Sequence, residues 1–86
     1  MREAELPISA IRRPLIRQTN PEKVEHLMRS IADMGQQEPI DVLEVDGVYY
    51  GFSGCHRYEA CTRLGLPTIR CRVRRASAAV LRMHLA

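Results

Sequence analysis

The sequence predicts an α+β fold, a mixed or mostly antiparallel sheet with helices covering one side, in the order strand, helix, hairpin, helix, strand, helix. Three observations carry that reading. Residues 19–39, TNPEKVEHLMRSIADMGQQEP, hold a capped amphipathic helix. Asp46-Gly47 joins two apolar runs, IDVLEV and VYYGF, as a two-residue hairpin. A glycine-bounded segment, CHRYEACTRL, separates that hairpin from another extended stretch, TIRCRV.

In chain order, LPISAI (6–11) is expected as a short edge strand, because Pro7 has no amide to donate to a central ladder. RRPL (12–15) then turns the chain. In the first helix Asn20 is placed to cap, Pro21 takes the first position, Glu22 stands in the first turn and Gly35 supplies the stop. Val24, Leu27, Met28 and Ile31 follow the helical repeat and form the buried stripe. At 100° per residue, Lys23 and Ser30 fall within about 20° of each other and His26 about 40° further round, beside the stripe. A two-residue hairpin pairs Val45 with Val48, Leu43 with Tyr50 and Asp41 with Phe52, gathering Leu43, Val45, Val48, Tyr50 and Phe52 on one covered face. Gly51 falls opposite Val42 on the other face, where the missing side chain lets a neighbour approach the backbone. The second helix starts near His56 and ends at Gly65, with Tyr58, Cys61 and Leu64 on one side. Along TIRCRV, Arg70, Arg72 and Arg74 face one way and Cys71 and Val73 the other. Ser77 caps a final helix, AAVLRMHL, whose apolar contacts are Val80, Leu81 and Met83.

At 86 residues, the chain is expected to be one domain, 1–86. A domain of this size buries only about 60 to 65% of its unfolded surface. A 45% hydrophobic content with one Phe and no Trp describes a modest core of Ile, Val, Leu and Met. Three cysteines without CxxC spacing suggest neither a zinc site nor a disulfide framework, and a reducing cytoplasm is the expected location. No run approaches the roughly 18 apolar residues of a membrane span, and MREAELPISA lacks the apolar stretch of a signal peptide, so a soluble, untargeted protein is expected. The net charge of +3 is a small excess. The Arg70, Arg72, Arg74 and Arg75 cluster reads as a solvated strand face or as a contact surface for DNA or a partner protein.

The chemistry concentrates in GFSGCHRYE, residues 51–59. Cys55 stands where a strand gives way to a helix, beside free amides loosened by Gly54, and such amides hold phosphate or favour a thiolate. His56 and Arg57 add to that field, which makes Cys55 a candidate nucleophile; the alternative is a small core cysteine with a surface histidine. Cys61 and Cys71 lie at apolar phases and read as buried filler. A helix would hold the α-carbons of residues 55 and 61 about 9 Å apart, beyond the roughly 7 Å limit of an unstrained disulfide. Upstream, Arg13 and Lys23 could join Arg57 in neutralising a polyphosphate, with His56 and Ser30 giving directional hydrogen bonds. Walker A, dinucleotide-fingerprint and DxD patterns are absent, so a nucleotide site must be of another kind.

GFSGCHRYEACTRLGLPTIRCRV, together with IRRPL, NPEKVEHLMRSI and PIDVLEVDG, closely resembles the sulfiredoxin family from about Leu6 to Leu85. The resemblance implies a small ParB/sulfiredoxin-like domain that reduces the cysteine sulfinic acid of hyperoxidised 2-Cys peroxiredoxin to sulfenic acid with ATP and Mg²⁺. It implies Cys55 as the catalytic thiol, with amides around Gly54, Cys55 and His56 cradling phosphate and Arg57 supporting the reacting centre. Lys23 and Arg13 look like the family's nucleotide-binding Lys and phosphate-contacting Arg, and Ser30 falls where a Thr or Ser helps hold the nucleotide. His26 takes a position at which some relatives carry Ser. The implied route runs through a sulfinic phosphoryl ester and a thiosulfinate on Cys55, opened by thioredoxin or glutathione. No protein ligand for the metal is assigned, and a monomer is expected.

A wider resemblance links Gly54, Arg57, Ala60, Leu64-Gly65 and Ile69 to the nucleotide-binding module of ParB-like partition proteins. Cys55 and His56 stand where those proteins usually carry an arginine-rich box. The rival reading is a nucleic-acid-associated module or nuclease, disfavoured because the arginine cluster has no interleaved aromatics and no recognition helix follows.

Overall fold

The computed structural model describes residues 1–14 and 18–85. The elements are β1 (Arg2–Pro7), a 3₁₀ turn (Ile8–Ala10), β2 (Ile11–Arg12), α1 (Pro21–Met34), β3 (Ile40–Val45), β4 (Val48–Gly51), α2 (Cys55–Arg63), β5 (Thr68–Arg75) and α3 (Ala78–Leu85). Of the expected RRPL turn, Leu15 lies outside the described residues.

Asp46 and Gly47 have φ of 50° and 79°, the positive pair that a two-residue hairpin turn demands. The turn sets the β3–β4 register: Val45 meets Val48, Leu43 meets Tyr50 and Gly51 lies opposite Val42. The ladder stops there, and the expected Asp41–Phe52 pair is not formed. Phe52 leaves the sheet as the chain bends toward Gly54, while the Asp41 amide donates to the Ser53 hydroxyl at 3.4 Å and its carboxylate pairs with Arg72 at 3.3 Å.

The sheet order is β1-β5-β3-β4-β2, with β1–β5 and β3–β4 antiparallel and β3–β5 and β2–β4 parallel. The expected single strand over 6–11 is instead divided. β1 starts at Arg2 and its ladder ends where Pro7 faces Thr68; the next amide, Ile8, donates to the Pro67 carbonyl at 3.1 Å. The chain then turns through the 3₁₀ segment, and Ile11-Arg12 joins β4 at the opposite edge. Pro7 explains the break, because it ends the strand and the following residues must seek other partners.

Asn20 caps α1, its side-chain oxygen accepting from the amides of Glu22 at 2.9 Å and Lys23 at 3.5 Å. Val24 and Ile31 are buried and Leu27 and Met28 half-buried against the core, as the helical repeat requires. α2 ends in a Schellman turn: Gly65 has φ 71° and donates to the Thr62 carbonyl, and Leu66 donates to that of Cys61. Ile40, Val42, Ile69, Cys71 and Val73 meet Val24, Ile31, Ala60 and Cys61 in one apolar cluster between the sheet and these two helices.

α3 departs from the expected one-sided cover. Ser77 caps it at 3.2 Å, but the helix buries no residue, and its His84 ring meets Phe52 at 5.2 Å between centroids. His84 shares a cavity of about 330 Å³ with Leu43, Arg72 and Arg74, which alternation puts on the face opposite α1 and α2. Leu43 and Val45 are buried on that face, whereas Val48, Tyr50 and Phe52 stay half-exposed. Val80 and Met83 remain exposed.

Burial lifts the Cys71 thiol from an ordinary 9.0 to about 11, with Cys61 adding to the shift. Above pH 9 an unfolded chain releases that proton while the folded chain keeps it, so this contribution to stability is complete below about pH 9 and fades as pH rises through about 11. The urea midpoint should therefore fall between about pH 8.5 and 10.5, and fall less in Cys71→Ala. Equal falls in both proteins would remove Cys71 as the cause.

Candidate active site

Gly54 fixes the corner between β4 and α2. Its φ and ψ, 67° and 36°, are left-handed, and a Cβ there would run into the buried Ile40 side chain. Tyr58 donates to the Gly54 carbonyl at 2.8 Å, so the first helical turn begins directly at Cys55. Unlike α1, this helix has no side-chain cap. Its leading amides, those of Cys55, His56 and Arg57, have no intrahelical acceptor by geometry and present donors to an anion. Arg57 Nε is buried without a hydrogen-bond partner among the described residues and lies 3.5 Å from where a Gly54 Cβ would stand.

Arg13 reaches the same corner. Its Nη2 donates to Cys55 Sγ at 3.1 Å and its Nη1 to the Ser53 carbonyl at 3.0 Å, while the guanidinium carbon lies 4.7 Å over the Tyr58 ring. Gly51 makes room for this path, since a Cβ there would come within 2.8 Å of Arg13 Nη1. The approach expected at Gly51 is thus made by Arg13. A planar cation held by ring, carbonyl and sulfur loses little further freedom when it meets a reacting anion.

A second group of residues lines an open cleft of about 530 Å³: Asn20, Glu22, Lys23, His26, Leu27 and His56. His56 bridges the two groups, following Cys55 in sequence while its Nε2 accepts from the Asn20 amide at 3.0 Å. Ser30 is half-buried and does not line the cleft; seven residues beyond Lys23, it lies about 10.5 Å further along α1. The structure therefore gathers Arg13, Gly54, Cys55 and Arg57 at the corner and Lys23, His26 and His56 at the cleft, and leaves Ser30 apart.

Three contributors escaped the sequence reading. Asn20 was legible as a cap but not as the partner of His56, 36 residues away. Tyr58 packs against the core as its phase requires, and its ring also supports Arg13, a second role for which its three-residue spacing from Cys55 on one helix face was the available signal. Ser53 holds Arg13 through its carbonyl, which no residue-type pattern reveals.

Cys55 is half-buried, whereas Cys61 and Cys71 are wholly buried and burial pushes both of their thiols upward. Among the described residues no three His, Cys, Asp or Glu side chains are grouped to hold a metal, and no helix is long and apolar enough to cross a membrane. Arg70, Arg72 and Arg75 are paired with Glu3, Asp41 and Glu44, at 3.4, 3.3 and 3.9 Å, which agrees with a solvated strand face.

The ParB N-terminal domain family matches residues 2–86. The chloroplastic/mitochondrial sulfiredoxin of Arabidopsis thaliana is 60% identical over 83 residues, covering 94% of this chain; the chain spans 66% of that protein's length. The crystal structure of Arabidopsis sulfiredoxin superposes with a TM-score of 0.97 at 57% identity, covering 100% of this chain and 99% of that one. The sulfiredoxin of Saccharomyces cerevisiae is 31% identical, covering 99% of this chain and 89% of that protein. A C-terminally truncated ParB of Caulobacter crescentus complexed with CTP-gamma-S aligns at a TM-score of 0.75 and 30% identity, covering 99% of this chain and 51% of that one.

Brief alkylation at pH 7 followed by intact mass should add one label to the folded protein, on Cys55, and three in denaturant. Gly51→Ala should stay folded yet slow that labelling several-fold, because the new methyl displaces the flexible end of Arg13 from Cys55. Unchanged labelling in this variant would detach Arg13 from thiol activation.

Proposed function

The chain belongs to the sulfiredoxin family, on the ParB N-terminal domain fold, and on that premise we propose that it reduces the sulfinic acid of hyperoxidised 2-Cys peroxiredoxin to sulfenic acid. The observation that carries the reading is the Arg13 guanidinium 3.1 Å from Cys55 Sγ, at the uncapped start of α2.

The residues present fit a magnesium nucleotide. Buried Arg57 Nε has a hydrogen bond to give, the leading amides of α2 are donors without acceptors, and the Gly54 corner is closed to any side chain. Arg57, Arg13 and the amides of Cys55 and His56 would face the terminal phosphates; Lys23, with His26 and His56 along the cleft, would hold the rest, and the metal would be carried by phosphate oxygens. Bound there with Mg²⁺, ATP supplies the γ-phosphoryl group that turns a sulfinate oxygen into a leaving group. Donors fixed in advance at the corner offset the negative charge that spreads as this group moves. Ser30 is assigned to the nucleotide on resemblance alone.

Cys55 then acts on the sulfinic phosphoryl ester so formed on the substrate. Its thiolate attacks the substrate sulfur, a sulfur–sulfur bond forms, the sulfur–oxygen bond breaks and phosphate departs. Arg13, on Sγ and on the Ser53 carbonyl, keeps the thiolate aimed and disperses its charge. A thiol such as thioredoxin or glutathione opens the resulting thiosulfinate at Cys55, releasing sulfenic acid, and a second thiol frees Cys55 from the mixed disulfide. Buried Cys61 and Cys71 take no part. We assign the whole described chain to this one domain, acting as a monomer in a reducing cytoplasm and without nucleic acid.

Incubation with sulfinylated peroxiredoxin, ATP, Mg²⁺ and excess thiol, followed by intact mass, should show turnover in wild type, C61S and C71S and none in C55S. Turnover by C55S would defeat the assignment. By calorimetry with a nonhydrolysable ATP analogue, K23M and R57M should each bind at least about tenfold more weakly while keeping wild-type circular dichroism, a loss beyond the 0 to 1 kcal/mol of a surface charge. Unchanged affinity in both variants would separate the thiol from any nucleotide.

A further inference from the structure

Asn20 commits three polar groups at the start of α1. Its side-chain oxygen accepts from the Glu22 and Lys23 amides, its carbonyl accepts from the Val24 amide at 3.0 Å, and its own N–H donates to His56 Nε2 at 3.0 Å. Capping accounts for the first two; the third belongs to no helix. An amide N–H only donates, so the Nε2 it meets presents a bare lone pair, which leaves Nδ1 as the ring nitrogen that carries a proton.

We infer that the Asn20 amide is a positioning group, which selects the Nδ1–H form of His56 and ties the leading ends of α1 and α2 together across the cleft. Two consequences follow from the geometry. Nδ1 is the ring nitrogen that has a proton to offer a phosphate, and the ring cannot turn over without breaking the tie. Lys23 follows Asn20 by three residues and its backbone amide is held by the same cap, so the base of the cleft's lysine and its imidazole donor share one frame. The phosphate role of His56 rests on the nucleotide reading above; the tautomer does not.

Multiple-bond ¹⁵N–¹H spectra of the nucleotide-free protein at about pH 8 should show His56 protonated at Nδ1 and bare at Nε2. A ring protonated at Nε2 overturns the inference. Asn20→Ala removes the capping oxygen and keeps the N–H, whereas Asn20→Pro removes both; Asn20, with φ −85° and ψ 117°, is close to what proline adopts. The Nδ1–H signature should persist in N20A and be lost in N20P, and a nonhydrolysable ATP analogue should bind N20P about tenfold more weakly than N20A. Equal affinities or unchanged tautomers in the two variants overturn the inference. Should N20P fail to fold, the wild-type spectrum decides. Absence of nucleotide binding by wild type would refute the nucleotide reading, with the spectrum still deciding the tie.

Discussion

The α-carbon of Gly54 rests against Ile40, which is wholly buried at the start of β3, and that contact leaves no room for a side chain. The left-handed turn it permits sends the chain from the end of β4 into α2 without a capping residue. A capped helix would have spent its leading amides on its own side chain, as α1 does through Asn20. Here they stay open, Cys55 becomes the first helical residue, and Arg57 is drawn back against the glycine with its Nε unsatisfied among the described residues. The donors of the site are therefore a product of core packing one layer below: what Ile40 excludes from the turn is what exposes the amides above it. Any non-glycine residue at 54 meets both the left-handed backbone and the isoleucine.

The cations around this corner are held with different firmness. Arg13 is half-buried and immobilised by a ring, a carbonyl and a sulfur, with no carboxylate among them. Lys23 is exposed at an open cleft and is free to follow a ligand. The strand arginines Arg70, Arg72 and Arg75 are matched with carboxylates at the surface, where such pairs are worth little and carry little net field. A total charge of +3 hides this partition: among the described residues, Arg13 and Arg57 of the corner and Lys23 of the cleft stand without a carboxylate partner.

Local rules made much of this legible. The cap, stripe and stop of α1 lie within 16 residues, the hairpin register follows from two turn residues, and both were read correctly from sequence. Gly51 was placed on the right face because alternation from the turn is strict. What failed was non-local. LPISAI looked like one strand because its neighbours in sequence are apolar, yet its two ends pair with β5 and β4, some 60 and 38 residues on. α3 was assigned by its own weak periodicity, which does not say which face of a sheet receives it. Arg13 and Cys55 stood out separately as basic and nucleophilic; their contact spans 42 residues and depends on a backbone gap at Gly51. Ser30 shares a helical phase with Lys23 and lies about 10.5 Å further along α1, a separation that phase alone does not report.

The sheet order carries one more consequence. β1 and β2 occupy opposite edges of five strands, although only Ile8–Ala10 separates them. Four flat inter-strand spacings come to about 19 Å, and four residue steps reach only about 14 Å. The sheet must curl until its edges come within reach of that short bridge, so the amino-terminal ribbon works like a clasp on a rolled sheet. Its two halves engage strands made later, β4 and then β5, which ends at Arg75. On the ribosome, the clasp stays open until β5 has emerged through Arg75, because both of its partner strands are made after it.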